Sequence, residues 1–568
     1  MISIKGSKIL VKMLKVYGVE FIFGVPGDTG TALYEALFDE KESIKHVLAR
    51  QERSAGFMAD VYARLTGKTG ICEAPSGGGA TYILPAVAEA NDSSIPLIAI
   101  TTDVAENEKN KNTITDLDQY SIFKPITKWN TVISSANGIP AVIRKAFRLA
   151  NSGRPGAINL SIPKNVLEEE VKEEEIASEI YREKTPDEKL KFENEIKEFI
   201  HLIKNAEFPV IVAGGGVLIS GAENELLEFI EYSGIPVATT ITGKGSVSEI
   251  HPLSLGVIGG NGGRDYANEI VKNSDLVIFI GCKTGSVATL NWSLVSKNAR
   301  VIQIDIDPNV IGKNYKNTLG ITTNAKSFLR ELTVFYRNNF RKKEWINDPI
   351  TKRILEYREQ WLTSFDRKFR KKIHPFQIIK EMQKLLPDDS IIIVDPGTAT
   401  PYIAGCYIQK KPGRKIIFPR AHGGLGYALP SAIAAKLAFP DLPVFSLIGD
   451  GSIGFCLGEL ETALRLNAPA VFIVFNNGCF SWIKTLQFLY HNEKYFSVDF
   501  HPLDYSKIAS AFGIKSMKIK QPSEIETALI QVVNTNNPFL LDFTIDELPF
   551  DIPPVHFWKE INKMKNSE

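Results

Sequence analysis

Cysteine is scarce in this chain, with five among 568 residues, and no two stand at C-x-x-C spacing. That pattern argues against a disulfide framework and a thiolate zinc site, and leaves Cys72, Cys282, Cys406, Cys456 and Cys479 as small apolar residues of the interior. A surplus of either charge is also missing, the net charge being +1, and no long basic block with interleaved aromatics occurs. Nucleic acid and membrane surfaces are therefore not the expected partners, and a small molecule is. No uninterrupted apolar run is long enough to cross a bilayer, and Met1-Ile2-Ser3-Ile4-Lys5 lacks a signal-peptide core, so a cytoplasmic protein is expected. What remains is an ordinary globular composition, 44% apolar and 23% charged, in a chain too long for one core. Three domains follow as the natural expectation.

The chain reads as three successive α/β units, each an open parallel sheet. Residues 1–185 start with an amphipathic helix through Ile9, Leu10, Met13 and Leu14, pass to Phe21-Ile22-Phe23-Gly24, and run on in βα units to Ala157-Ile158-Asn159-Leu160. An acidic stretch from Leu167 through Asp187-Glu188-Lys189 reads as a solvated connector. Residues 190–340 form a second unit with strands at Pro209–Ala213, Leu276–Ile280 and Val301–Asp307. The Gly214-Gly215-Gly216 run after the first of these reads as a tight strand-to-helix turn more than as a dinucleotide cradle. A basic helical linker around Arg337–Lys372 leads to a third unit at 370–550, with strands at Ile391–Val394, Val444–Ile448, Val471–Phe475 and Phe539–Asp542, and residues 551–568 form a tail.

The third unit carries the most informative pattern. A strand at Pro443–Ile448 runs into Gly449-Asp450-Gly451-Ser452, a helical stretch follows, and a second strand at Ala470–Phe475 ends in Asn476-Asn477. A parallel crossover of this length sets both strand ends side by side, where open sheets bind ligands. Asp450 and Asn477 then offer hard oxygen ligands which, with the main-chain carbonyl of Cys479, suit a Mg²⁺ that keeps open positions for phosphate oxygens. Gly451 and Ser452 are expected to open the following helix and present N–H groups to the same anion. A Gly-Asp-Gly turn alone would carry no such meaning; the second strand and the asparagine pair supply it.

This pattern resembles the thiamine diphosphate motif of the family containing acetolactate synthase, pyruvate decarboxylase and benzoylformate decarboxylase, and the resemblance runs along nearly the whole chain. It implies pyrimidine-binding, central and diphosphate-binding domains in that order, and a cofactor shared between the first domain of one subunit and the third of another in a homodimer or homotetramer. It also implies that Glu52, in Arg50-Gln51-Glu52-Arg53-Ser54-Ala55-Gly56, holds a hydrogen bond to the ring nitrogen of the aminopyrimidine. Taken alone, Glu52 reads as a first-turn acid that complements a helix dipole. Leu425, in His422-Gly423-Gly424-Leu425, stands where the family props the cofactor into its bent form, and a core leucine is compatible with that role. Gly424, Thr398, Gly449, Gly451, Ser452 and Asn477 complete the implied cofactor contacts.

Other positions divide the family. Asp28, in Val25-Pro26-Gly27-Asp28, matches the acidic residue of pyruvate decarboxylases, or else caps a turn. The first domain has no paired histidines, and Ile483 stands where those decarboxylases carry a glutamate, as an apolar residue does in acetolactate synthases. Thr115 and Leu486 replace the glutamine and tryptophan of the synthases, and Ser76-Gly77-Gly78-Gly79 resembles their Ser-Gly-Pro-Gly turn. Lys283 stands in place of their FAD-contacting arginine, so FAD is not expected. His422 is an acid–base candidate or a structural loop residue, and Trp482 borders the substrate or fills core. The resemblance implies decarboxylation of a 2-oxo acid followed by carboligation to a second one. The alternatives are protonation to an aldehyde, a flavin-dependent oxidase, and a homologue that kept the fold without the chemistry.

Overall fold

The structure is a computed structural model and describes residues 3–182, 192–365, 372–546 and 552–565. Three six-stranded parallel sheets carry the fold. The first orders its strands Lys45–Leu48, Phe21–Gly24, Gly70–Ala74, Leu97–Asp103, Ala157–Pro163 and Trp129–Val132. The second runs Ser254–Val257, Val237–Thr239, Pro209–Ala213, Leu276–Ile280, Arg300–Asp305 and Leu319–Thr322. The third runs Ile416–Ile417, Ile391–Val394, Val444–Gly449, Val471–Asn476, Phe539–Thr544 and Lys515–Ile519. Central strands such as Leu276-Val277-Ile278-Phe279-Ile280 are buried along their whole length, as parallel strands covered by helices on both faces must be.

One expectation changes and another gains its physical reason. The acidic stretch after Leu167 is more than a solvated connector: Glu170–Lys172 pairs antiparallel with Ser3–Lys5, and Val171 and Ile176 are buried. Its apolar residues pack while its acids face water, so a high charge count concealed a strand; residues 183–191 of that stretch lie outside the described residues. The Gly214–Gly216 turn is tight because the backbone of the neighbouring strand end lies against it. A side chain on Gly216 would meet the Cα of Gly281 at 2.6 Å, and the Gly216 N–H donates to the Gly281 carbonyl.

The joint between the first and third sheets positions the site. Helix Glu52–Thr66 packs along helix Ala428–Ala438: the Phe57 and Tyr427 rings meet edge-on with centroids 5.0 Å apart, and the Ser431 hydroxyl donates to the Phe57 carbonyl at 3.4 Å. Beside them Arg64 donates to Asp60 at 2.7 Å and to Glu89 at 3.2 Å, and the Tyr427 hydroxyl donates to Asp60 at 2.6 Å. Glu89 also accepts the backbone N–H groups of His422 and Gly423, which fixes the loop that carries Leu425. Replacing Arg64 with Met strands two buried carboxylates, and we expect a loss of roughly 3–5 kcal/mol of stability. Denaturant unfolding checks this, and a loss below about 1 kcal/mol, the scale of an exposed pair, would contradict the joint.

Candidate active site

A cavity of about 350 Å³ opens at the carboxyl ends of strands Ile391–Val394, Val444–Gly449 and Val471–Asn476. Strand order here puts Val444–Gly449 directly beside Val471–Asn476, so the turns that follow them converge. Asp450 is buried in that convergence. Its Oδ1 accepts the Gly451 N–H at 2.8 Å and its Oδ2 accepts the N–H groups of Asn477 and Gly478. Burial pushes the Asp450 carboxyl up to about 6 against the pull of those N–H groups. The Asn477 amide nitrogen donates to the Ser481 hydroxyl at 2.5 Å, which leaves its Oδ1 beside the Cys479 thiol at 3.6 Å. Gly478 holds a left-handed φ of 75°, turning the chain sharply between these ligating positions.

Asp395 follows Ile391–Val394 into the same cavity. Its carboxylate accepts the N–H groups of Ala428 at 2.8 Å and Gly426 at 3.2 Å, so it caps helix Ala428–Ala438 and holds the Leu425 loop to the cavity wall. Burial pushes it up to about 7 against those N–H groups. Sequence reading passed over Asp395 because Asp395-Pro396-Gly397 after an apolar strand is ordinary turn chemistry. Arg420 also lines the cavity without having been singled out, and the Phe480 ring there lies 2.6 Å from where a side chain on Gly451 would start, so a side chain at Gly451 would displace it.

The structure gathers Asp450, Asn477, Cys479, Gly449, Gly451, Ser452, Thr398, Leu425, Trp482 and Ile483 around this cavity. It does not bring the other expected residues to it. Gly424 faces the Phe57 ring, 3.1 Å from where its side chain would start. His422 is exposed, with Nε2 3.1 Å from the Asp92 carboxylate. Leu486 packs with Trp482, Val555 and Trp558 beneath helix His556–Lys565. The expected helix after Asp450 is also broken in two, a single turn at Asp450–Ile453 and then Glu459–Arg465. Two glycines, Gly454 and Gly458, interrupt it.

A second group of expected residues lies at the carboxyl end of the first sheet. Glu52 opens helix Glu52–Thr66 and is half-buried; its Oε1 lies 3.2 Å from where a side chain on Gly79 would begin. Asp28 is exposed in a 3-10 turn at Asp28–Gly30. Ser76 donates to the Thr115 hydroxyl at 2.8 Å, and Thr29 links Ser76 at 3.3 Å to Thr102 at 2.6 Å. Thr115 is held at a φ of 68°, with its Cβ 2.7 Å from the position a Gly77 side chain would take. None of Glu52, Asp28, Ser76, Gly77 and Thr115 lines the Asp450 cavity within one chain.

Thiamine pyrophosphate enzyme family models match in the order of the three sheets: the N-terminal TPP binding domain at residues 4–122, the central domain at 196–332 and the C-terminal TPP binding domain at 395–543. The probable acetolactate synthase large subunit of Methanococcus aeolicus is 35% identical over 95% of this chain and 92% of its own length. The chain belongs to the thiamine pyrophosphate enzymes. The corresponding protein of Methanocaldococcus jannaschii is likewise 35% identical over 97% of this chain and 94% of its own. The acetolactate synthase large subunit of Mycobacterium tuberculosis is 30% identical over 96% and 88%. Thiamine diphosphate is thus the cofactor of this family member, and both of its TPP binding domains lie in one chain. No described helix is long and apolar enough to cross a membrane.

Proposed function

We propose that this thiamine pyrophosphate enzyme decarboxylates a 2-oxo acid such as pyruvate and ligates the remaining acyl unit to a second 2-oxo acid, as its acetolactate synthase relatives are named for. The observation that carries this reading is the Asp450–Asn477 clamp opening onto a rim that is apolar at Ile483, within a chain whose relatives share its full length. Bound thiamine diphosphate supplies the carbanion that adds to a carbonyl and the electron sink on which CO₂ departs.

The chain's own residues do the rest. Asp450, the Asn477 amide oxygen and the Cys479 carbonyl form a hard-oxygen set that suits Mg²⁺. Such a set would leave positions on the ion for diphosphate oxygens. Leu425 presents apolar bulk to the cavity on a loop held by Asp395 and Glu89. Glu52 holds a hydrogen bond to the aminopyrimidine ring nitrogen. It reaches the cofactor from a second copy of the chain, because the Asp450 cavity is lined by residues between Asp395 and Ile545 alone. An apolar Ile483, 45% exposed at the rim, offers no acid to protonate the acyl unit and favours its capture by an acceptor.

Incubation with ¹³C-labelled pyruvate tests the reading. Acetolactate as the main product is expected. Acetaldehyde as the sole product would instead select the decarboxylase chemistry to which Asp28 is suited, and no CO₂ release at all would overturn both.

A further inference from the structure

Glu52 lies just past the end of strand Lys45–Leu48, and the segment that follows the Asp450 turn in the third domain grips that strand end within the same chain. Glu459, the first residue of helix Glu459–Arg465, is 1% exposed and accepts the Arg50 N–H with both carboxylate oxygens, at 3.0 and 3.2 Å. Its Oε2 also accepts the Thr462 hydroxyl at 2.7 Å. Arg465, at the other end of that helix, donates to the Leu48 carbonyl at 2.6 Å. Arg53 donates to the Phe455 carbonyl at 2.8 Å, and a side chain on Gly458 would start 3.3 Å from the Arg50 Cβ. Residues on both sides of Glu52 are tied to the third domain in this way, and Glu459 itself does not line the Asp450 cavity.

A carboxylate in the interior is costly unless its lone pairs are filled. Burial pushes the Glu459 carboxyl up, and the Thr462 hydroxyl and the Arg50 and Gln51 N–H groups pull it back. An ionised acceptor binds a backbone N–H roughly twice as strongly as a neutral one, so this contact fixes the peptide just ahead of Glu52. With no side-chain hydrogen bond of its own among the described residues, Glu52 takes its direction from that backbone.

We propose that Glu459 is a positioning residue for Glu52 of its own chain: by holding the Arg50 N–H it sets where the Glu52 carboxylate stands when it meets the cofactor. Asp450 and Glu459 belong to one segment yet serve different centres. Asp450 lines the cavity of its own third domain, whereas Glu52 reaches the cavity of a second copy. A misplacement of about 1 Å at a catalytic group costs on the order of 100-fold in rate, so a loosened turn should be felt in the chemistry as well as in stability. This consequence rests on the cofactor role and the shared site proposed for Glu52, whereas the hold on the turn does not.

In the cofactor-free, full-length chain, Glu459→Ala should raise amide hydrogen exchange at Arg50 by about 10-fold or more while strand Gly70–Ala74 keeps its protection. At saturating thiamine diphosphate and Mg²⁺ the same variant should slow exchange of the cofactor C2 proton by about 100-fold, and Glu459→Gln, which keeps a neutral acceptor, by about 10-fold. Glu459→Gln serves every measurement if Glu459→Ala does not fold. Co-expression locates the effect. Mixed dimers of a Glu459 variant with Asp450→Ala carry one intact site and should recover activity, whereas mixed dimers with Glu52→Gln carry none and should stay as slow as their parents. Unchanged Arg50 exchange, or C2 exchange at the wild-type rate, in a folded variant overturns the positioning role. So does recovery with Glu52→Gln, or a failure to recover with Asp450→Ala when Glu52→Gln and Asp450→Ala chains do complement each other. If Glu52→Gln itself exchanges the C2 proton at the wild-type rate, the cofactor role of Glu52 fails instead, and Arg50 exchange still decides whether Glu459 holds the turn.

Discussion

Asp450→Ala is expected to abolish Mg²⁺-dependent binding of thiamine diphosphate. The carboxylate is the anionic side chain of the proposed ligand set, and it also organises the turn by accepting the N–H groups of Gly451, Asn477 and Gly478. Removing a buried charged partner costs on the order of 3 kcal/mol, about 100-fold in Kd. The same change leaves three N–H groups without their acceptor, which lowers stability by roughly 1–3 kcal/mol. Asp450→Asn separates the two effects, since its amide oxygen still accepts part of the turn but carries no charge. Calorimetry with Mg²⁺ present should show both variants losing affinity, and undiminished affinity in a folded Asp450→Asn protein would sink the clamp.

Glu52→Gln should leave cofactor bound and slow exchange of its C2 proton by about 100-fold or more, the scale of a positioned acid–base group. Glu52 stands in the first helical turn, and its side chain makes no hydrogen bond among the described residues that would hold helix Glu52–Thr66 together; the helix is secured by its packing on Ala428–Ala438 and ends at Gly67, φ 70°. The substitution is isosteric, so the melting temperature should change little. Exchange at the wild-type rate would remove Glu52 from the chemistry, and a collapse in stability would assign it a structural task.

The fold was legible where apolar runs alternate with helical periods, because a strand buried on both faces leaves a mark such as Leu276–Ile280 that few other environments produce. The clamp was legible because ligands at two adjacent strand ends need one crossover of limited length. Asp395 escaped because its partners, Gly426 and Ala428, are distant in sequence and offer only backbone N–H groups. The strand at Glu170–Lys172 was hidden by charge, since its acids face water while Val171 alone carries the burial. Leu486 illustrates a limit of motif placement: the resemblance implies a place beside the substrate, yet the facing helix His556–Lys565 decides what it touches.

One catalytic site is expected to need Asp450 of one copy and Glu52 of another, and co-expression of Glu52→Gln and Asp450→Ala chains separates this from a site built within one chain. Neither variant alone should form acetolactate. In a randomly assorted dimer population half the dimers are mixed, and each mixed dimer carries one site with both residues intact, so activity should return to about a quarter of the wild-type level. Mixed dimers, isolated by two different affinity tags, that are as inactive as either parent would contradict the shared site and with it the proposed assignment of Glu52 and Asp450 to one centre.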